Sequence, residues 1–253
     1  MFISGTGPDA AVSPRWRLSL LGAWRLAEPH GPVDVGSNGQ RLYALLALRG
    51  GCDRSYAAGV LWPDCSDRHA HGNLRATLSR LHRRRIAGPL DSSNGVLALS
   101  PDVGVDVHEL MGTACAVLDG APVLPARSTL SRLTGDDLLV GWYDDWVLLE
   151  RERLRQLRLH ALEALAERLL VAGALPVAVE AALAAVALEP LRESAHRALI
   201  RAHLAEGNRV AAARQLDQLR QMLRRELGEE PSRLVTDLLA GRSHVPVTGR
   251  GGR

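Results

Sequence analysis

The most chemically distinctive stretch of the sequence runs from Asp67 to Arg85 and is rich in arginine and histidine. Leu74, Leu78 and Leu81 recur at the spacing of one helical face, which predicts an amphipathic helix with a leucine side. The opposite side is predicted to carry small residues and an arginine: Gly72, Ala76, Ser79 and Arg83. No acidic residue occurs between Asp67 and Asp91, so this outer face could hold a negatively charged partner.

A metal site is the first alternative use of this region. Cys65, His69 and His71 lie close together, but a closed zinc site needs four ligands with a recognisable paired spacing, and no second pair occurs. We therefore expect no metal and no cofactor. The chain has three cysteines, an odd number that favours free thiols and a cytoplasmic protein over a disulfide scaffold.

An aromatic and acidic group follows later in the chain. We interpret Trp142, Tyr143 and Trp146 as packing anchors at a domain junction, with ligand stacking as the alternative. Asp144 and Asp145 lie beside them and favour support of a helix N-terminus over an acid/base pair. The sequence contains no Ser-His-Asp arrangement, Gly-rich phosphate loop or metalloprotease motif, so we expect no enzymatic activity.

The elements around the arginine-rich helix follow a definite order. Residues 16–35 predict three short strands, the third at 33–35, and two helices follow: one capped by Asn38 and one over Ser55–Trp62. After the arginine-rich helix, Asn94-Gly95 between two apolar runs predicts a hairpin. Strands, three helices and a hairpin are the plan of a winged helix, with the third helix as reader and the hairpin as wing.

The second half of the chain is predicted to be almost entirely helical. Residues 119–136 are interpreted as a connection, and the helices are predicted at about His108–Leu118, Asp144–Ala172, Pro176–Leu188, Glu193–Glu206, Arg209–Leu227 and Ser232–Ala240. Gly173 and Gly207 are 34 residues apart, and Ala178 and Ala212 share that offset. A period of about 34 with small residues at helix crossings is typical of tetratricopeptide-like helical hairpins.

These patterns predict an α+β chain with two domains. A winged-helix domain is expected over residues 15–104 and an all-α tetratricopeptide-like domain over residues 105–241, with disordered tails at 1–14 and 242–253. The first domain carries 12 Arg and seven acidic residues and the second 16 Arg and 20 acidic residues, so the basic first domain is a candidate for nucleic acid. No signal peptide or long apolar run occurs, which argues against a membrane protein.

The motifs also resemble a known family. Residues 16–104 resemble the OmpR-type winged helix of the actinomycete antibiotic regulatory proteins (SARP type), and residues 105–241 resemble the bacterial transcriptional activation domain that follows it there. The resemblance is carried by five pieces: Gln40-Arg-Leu-Tyr-Ala-Leu-Leu-Ala-Leu48, Leu61-Trp62, Asn73-Leu-Arg-Ala-Thr-Leu-Ser-Arg-Leu-His-Arg83, the run from Asp137 to Leu154, and Leu227-Gly-Glu-Glu-Pro-Ser232.

The resemblance implies a sequence-specific DNA-binding transcriptional activator. Its expected partners are double-stranded DNA with promoter direct repeats and RNA polymerase. It would bind DNA as a homodimer or side-by-side oligomer and control a secondary-metabolite (antibiotic) gene cluster. It is expected in the cytoplasm, associated with the nucleoid. A helix fits the major groove, where Arg reads guanine and Asn reads adenine. The residues expected toward the groove are Asn73, Arg75, Thr77 and Arg80.

Other residues of this region are expected to touch the DNA backbone, which positions a protein without specifying sequence. Those on the reading helix are Ser79, His82, Arg83 and Arg84. Ser93 and Asn94 would reach DNA from the wing, and Gln40 and Arg41 would hold a phosphate at a helix N-terminus. The alternative function is a tetratricopeptide-like interaction scaffold without specific DNA binding.

Overall fold

The computed structural model describes residues 14–92, 95–122 and 125–240. They divide into two units: the first contains the described residues up to Glu109 together with Asp136–Arg151, and the second contains Leu110–Gly135 and the residues from Glu152 onward. The tails for which we predict disorder lie, apart from Pro14, outside the described residues. In chain order the elements are β1 (Trp16–Ser19), β2 (Arg25–Glu28), β3 (Gly31–Pro32), α1 (Ser37–Arg49), β4 (Cys52–Asp53), α2 (Arg54–Leu61), α3 (Asp67–Arg83), β5 (Leu90–Asp91), β6 (Val96–Leu99), β7 (Val103–Val105), α4 (Asp106–Leu118), α5 (Ala126–Leu133), α6 (Asp145–Val171), α7 (Leu175–Leu188), α8 (Glu193–Ala205), α9 (Arg209–Glu226) and α10 (Arg233–Leu239).

A four-stranded sheet in the order β3-β2-β1-β7 opens the first unit. The third strand lies at Gly31–Pro32 rather than at residues 33–35, because the turn is tight enough to place Gly31 directly opposite Glu28. β7 pairs parallel with β1 and was not predicted. A strand of three residues is too short to show a clear hydrophobic alternation in the sequence. Its pairing depends on β1, which is distant in the chain.

Three helices follow the first strands, as predicted for a winged helix. α1 begins one residue before the predicted cap: Gly36 occupies the N-cap position and Asn38 lies in the first turn, which corrects the predicted cap. α2 is capped by Asp53, whose carboxylate accepts from the Tyr56 amide at 2.7 Å. α3 ends at Arg83, two residues earlier than predicted, and Arg85 takes a φ of 58°, outside the helical range.

The wing is a three-stranded sheet in the order β4-β6-β5. Leu90 pairs with Leu99 across the predicted hairpin, and Gly95 takes a φ of 80°, as the turn chemistry requires. Ser93 and Asn94 lie outside the described residues. The strand order, the three helices and this hairpin confirm the winged-helix fold class.

The segment Asp136–Arg151, here called the anchor segment, belongs to the first unit although it lies late in the chain. Its backbone joins the residues after β1: Leu139 N donates to Leu20 O at 2.7 Å, and Gly22 N donates to Asp137 O at 2.8 Å. The Asp106 carboxylate accepts from Leu20 N at 2.9 Å on the same stretch. The residues after β1 are therefore held from two positions far away in sequence.

Side chains of the anchor segment reinforce these backbone bonds within the first unit. Arg41 of α1 pairs with Asp144, and Arg49 pairs with Glu150 at 2.9 Å. The Arg151 guanidinium donates to the backbone carbonyls of Leu138, Leu139 and Trp142 at 2.8, 2.8 and 3.0 Å. One arginine thus fixes the turn that precedes α6.

The second unit consists of helices, and its packing repeats with the predicted period. Leu165 and Leu199 are both fully buried, and so are Ala178 and Ala212. Gly173 and Gly207 end their helices with φ values of 75° and 77°. This agreement confirms the tetratricopeptide-like helical hairpins.

One helix of the second unit was not predicted. α5 lies within residues 119–136, which the sequence suggested were a connection because Gly, Pro and Ser recur there. Leu130 and Leu133 are buried in the same core cluster as Leu165. Eight residues form a marginal helix on their own, so α5 depends on this packing rather than on local propensity.

His196 is the one fully buried histidine among the described residues and lies in α8. Its Nε2 is 2.8 Å from the Pro190 carbonyl oxygen, and its Nδ1 is 2.8 Å from the amide nitrogen of Gln215. This arrangement suits a neutral ring that donates from Nε2 and accepts at Nδ1. Burial lowers the pKa of His196 below its ordinary value.

We expect the second unit to lose stability as the pH falls through about 6.5, because the unfolded histidine takes up a proton that the folded side chain resists. Urea unfolding of the full chain at about pH 7.5 and about pH 5.5 measures this effect. His196→Gln should reduce the pH dependence, whereas His30→Gln at an exposed position should leave it unchanged. The same pH dependence in the wild type and in His196→Gln would contradict the expectation.

Candidate nucleic-acid interface

α3 separates two chemically different faces. Leu74 and Leu81 are buried, and Ala70 lies with them on the inner side. The predicted outer residues Ala76, Ser79 and Arg83 are exposed, with the partly exposed Gly72 on the same side. These four residues form an outer ridge, and the small side chains of Gly72, Ala76 and Ser79 let another surface approach it closely.

Three arginines lie on or beside this ridge. Arg75, Arg80 and Arg83 are exposed, and none has an ion-pair partner among the residues that the structure describes. Arg84 has a long contact of 3.6 Å with the exposed carboxylate of Asp34. Because an exposed pair at this distance contributes little, Arg84 stays available for other partners.

Several arginines of the second unit are paired with glutamates. Arg192 lies 2.8 Å from Glu163, Arg201 lies 2.6 Å from Glu167, and Arg155 binds both Glu152 and Glu189. The contacts with both glutamates raise the pKa of Arg155. Pairing with a carboxylate is therefore common in the second unit, whereas Arg75, Arg80 and Arg83 of α3 have no such partner among the described residues.

A concave surface of about 230 Å³ lies on the α1 side of the ridge. Arg80 and Arg84 line it together with Ser37 and Asn38 from the first turn of α1. The first amides of a helix have no intrahelical acceptor, and the helix dipole favours an anion there. This side therefore combines two guanidinium groups with free backbone donors.

A second concave surface, of about 150 Å³, lies on the wing side of the ridge. Arg54 from the start of α2 and Arg75 and His82 from α3 supply its positive or ionisable groups. Leu78 forms part of its apolar floor, and Ser92 comes from the wing. The ridge of α3 is therefore bordered by basic residues on both sides.

Thr77 corrects the predicted set of groove residues. Its side chain is only 3% exposed, and its hydroxyl donates to the Asn73 carbonyl at 2.9 Å. Leu74 and Thr77 lie three residues apart and share the inward side. We therefore remove Thr77 from the interface, and Asn73 is half-buried beside it.

Gln40 and Arg41 are the second correction. The Gln40 amide donates to the Val35 carbonyl at 2.7 Å, and the Arg41 guanidinium is held by the Asp144 carboxylate. Both side chains are engaged in the fold of the first unit, so neither is free to bind a phosphate. At the start of α1, Ser37 and Asn38 line the concave surface instead, and neither was among the residues predicted from the sequence to bind DNA.

The remaining predicted residues are either exposed or outside the described part of the chain. Ser79, Arg80, His82, Arg83 and Arg84 are exposed on or beside the ridge. Ser93 and Asn94 cannot be placed, since they lie outside the described residues. Arg54 was missed because no sequence signal connects the start of α2 with a helix that follows later.

The remaining predictions concern the candidate metal ligands and the aromatic residues. Residues 14–92, 95–122 and 125–240 contain no cluster of three His, Cys, Asp or Glu side chains that could hold a metal. The His69 ring lies 2.8 Å from the Ser66 hydroxyl. Trp146 is buried as predicted for a packing anchor, but Tyr143 is 79% exposed, which corrects that interpretation for Tyr143.

Comparison with known proteins places the chain in a family. The model of the bacterial transcriptional activator domain (BTAD) matches residues 114–240, half of the chain. No curated protein matches the sequence. Among the helices of the described residues, none has the length and apolar character needed to cross a membrane.

A solved structure shares the fold. EmbR from Mycobacterium tuberculosis, solved in complex with a low-affinity phosphopeptide, matches with a TM-score of 0.69 and 19% sequence identity. The match covers 89% of this chain and 64% of the EmbR chain, so the chain spans less than two thirds of that protein. The chain therefore belongs to the bacterial transcriptional activator domain family, and it shares the fold of EmbR.

Proposed function

We propose that this activator binds promoter DNA in a sequence-specific manner through α3. The observation that carries the proposal is the outward face of α3, where Arg75, Arg80 and Arg83 are exposed without an acidic partner among the described residues. Double-stranded DNA is a dense polyanion, and neutralising its phosphates releases condensed counterions. An α-helix of this width fits the major groove, where the bases can be distinguished.

The two concave surfaces beside α3 suggest how the protein would be positioned. On one side, Arg84 and the amides of Ser37 and Asn38 would bind phosphates of one DNA strand. On the other, Arg54 and His82 would bind phosphates of the opposite strand. Two backbone contacts on opposite sides of a helix fix its depth and angle in the groove.

Residues on the ridge would then meet the base edges. Arg75 and Arg80 have the length and donor geometry to pair with guanine, and Asn73 suits adenine if its half-buried side chain turns outward. Ser79 and Arg83 would add backbone contacts. Ser93 and Asn94 stay proposed wing contacts on the strength of the family resemblance.

The helical domain would supply activation. The family model over residues 114–240 is described as a transcriptional activator domain, which supports RNA polymerase as the partner. Protomers would bind side by side on promoter direct repeats. The targets would be genes of a secondary-metabolite (antibiotic) cluster, and the protein would act in the cytoplasm at the nucleoid.

Selection of fragmented genomic DNA by the purified full chain tests sequence preference directly. The proposal expects a repeated motif upstream of one biosynthetic gene cluster. Recovery of random DNA with no enriched motif would contradict it, and a co-purifying protein in that case would favour the interaction scaffold instead.

Arg80→Ala should weaken binding to the selected site by about tenfold, because removal of a bidentate base contact costs about 1–3 kcal/mol. The control is Arg214→Ala, which removes one exposed arginine of α9 and the same charge. Gel-shift titration with the selected DNA measures both affinities. If both variants lose affinity equally, only net charge matters and Arg80 is not a base contact.

Thr77→Val should leave DNA affinity within about twofold of the wild type, because the Thr77 hydroxyl serves the backbone of its own helix. Urea unfolding should show a stability change of about 1 kcal/mol or less. A loss of affinity as large as that of Arg80→Ala would restore Thr77 to the interface.

A further inference from the structure

An open, solvent-facing cavity of about 550 Å³ lies on the first unit, between the loop after α2 and the start of α6. Its walls include three aromatic side chains, Trp62, Tyr143 and Trp146. Tyr143 is 79% exposed, so its ring is accessible to a molecule in the cavity. The volume is within the range of small-molecule sites, about 300–1,000 Å³.

The charged residues of this cavity give it a negative balance. Asp64, Asp144 and Asp145 line it together with a single cation, Arg41. The Arg41 guanidinium is bound to the Asp144 carboxylate. The carboxylates of Asp64 and Asp145 have no ion-pair partner among the described residues, so the negative charge of the wall is uncompensated.

Two donors in the wall also have no hydrogen-bond partner among the described residues. They are the indole Nε1 of Trp146 and the Nε of Arg41, both buried. Trp146 is 9% exposed and packs in the wall of this cavity. Both atoms are also shielded from solvent, so they belong to the packed part of the wall, and the accessible part is formed by Tyr143 and the carboxylates of Asp64 and Asp145.

These features select one kind of ligand. Aromatic faces attract cations, and carboxylates beside them add a direct charge interaction. A metal ion is disfavoured, since the described residues contain no cluster of three carboxylate, thiol or imidazole groups able to hold one. DNA is disfavoured as well, because its phosphates would meet Asp64 and Asp145.

We propose that this cavity binds a small organic cation, an ammonium or guanidinium compound with an apolar body. The cationic group lies against Tyr143 and the carboxylates of Asp64 and Asp145. The site is independent of the proposed DNA contacts, and its test needs no DNA.

The test is a titration of the full chain with 2-phenylethylammonium chloride and with 2-phenylethanol as the matched neutral probe. The indole N–H signals of the five tryptophans are followed by NMR. We expect saturable shifts centred on Trp62 and Trp146 with the cation, and at least about fivefold weaker binding of the alcohol. Equal binding of the two probes, or no saturable shift, overturns the proposal.

Variants assign the binding to the cavity. Tyr143→Ala should weaken the cation about fivefold, and Asp64→Asn with Asp145→Asn should weaken it at least as much. The control for the ring is Tyr56→Ala, an exposed tyrosine of α2, and it should change nothing. Unchanged affinity of the cation for Tyr143→Ala overturns the proposed site. A tetra-arginine peptide that bound more than about tenfold tighter than the amine would overturn it as well, because it would indicate a basic protein as occupant.

Discussion

The burial of the leucine side of α3 is the constraint on which the functional surface depends. Leu74 and Leu81 lie in the core of the first unit, and a helix that buries this side must present the opposite side to solvent. That opposite side carries arginines without acidic partners among the described residues. Like charges held on one face repel one another, and water weakens the repulsion without removing it. A bound polyanion would turn the same charges into an attraction.

The anchor segment shows that the first unit is completed by residues from later in the chain. Its backbone bonds to the residues after β1, its ion pairs with α1 and the three carbonyls held by Arg151 all lie within one unit. The Arg41 guanidinium is bound to the Asp144 carboxylate in this arrangement. The same pairing that removes Arg41 from the proposed DNA contacts makes it part of the cavity that we assign to a cation. The Arg41–Asp144 ion pair therefore affects both the proposed DNA-binding surface and the proposed cation site.

The sequence predicted what depends on local pattern and missed what depends on distant partners. The leucine spacing of α3, the Asn-Gly turn and the 34-residue period each specify local structure, and the fold class followed from them. β7, α5 and the anchor segment owe their structure to partners many residues away. At the candidate interface, Thr77 and Arg41 have residue types suited to DNA. The helical spacing of Thr77 from Leu74 and Leu81 already indicates the buried side of α3. The ion pair of Arg41 with Asp144, by contrast, joins distant parts of the chain and is not visible in a single sequence.

The central claim is that the arginine face of α3 binds DNA phosphates and bases, and the salt dependence of DNA binding tests it most directly. The full chain and a variant with Arg75, Arg80 and Arg83 replaced by Ala are titrated with the selected DNA over a range of salt concentrations. If these arginines displace counterions, the plot of log affinity against log salt becomes shallower in the variant by about 0.9 for each phosphate that the variant no longer neutralises. Equal slopes and equal affinities for the two proteins would show that DNA, if bound at all, is bound elsewhere.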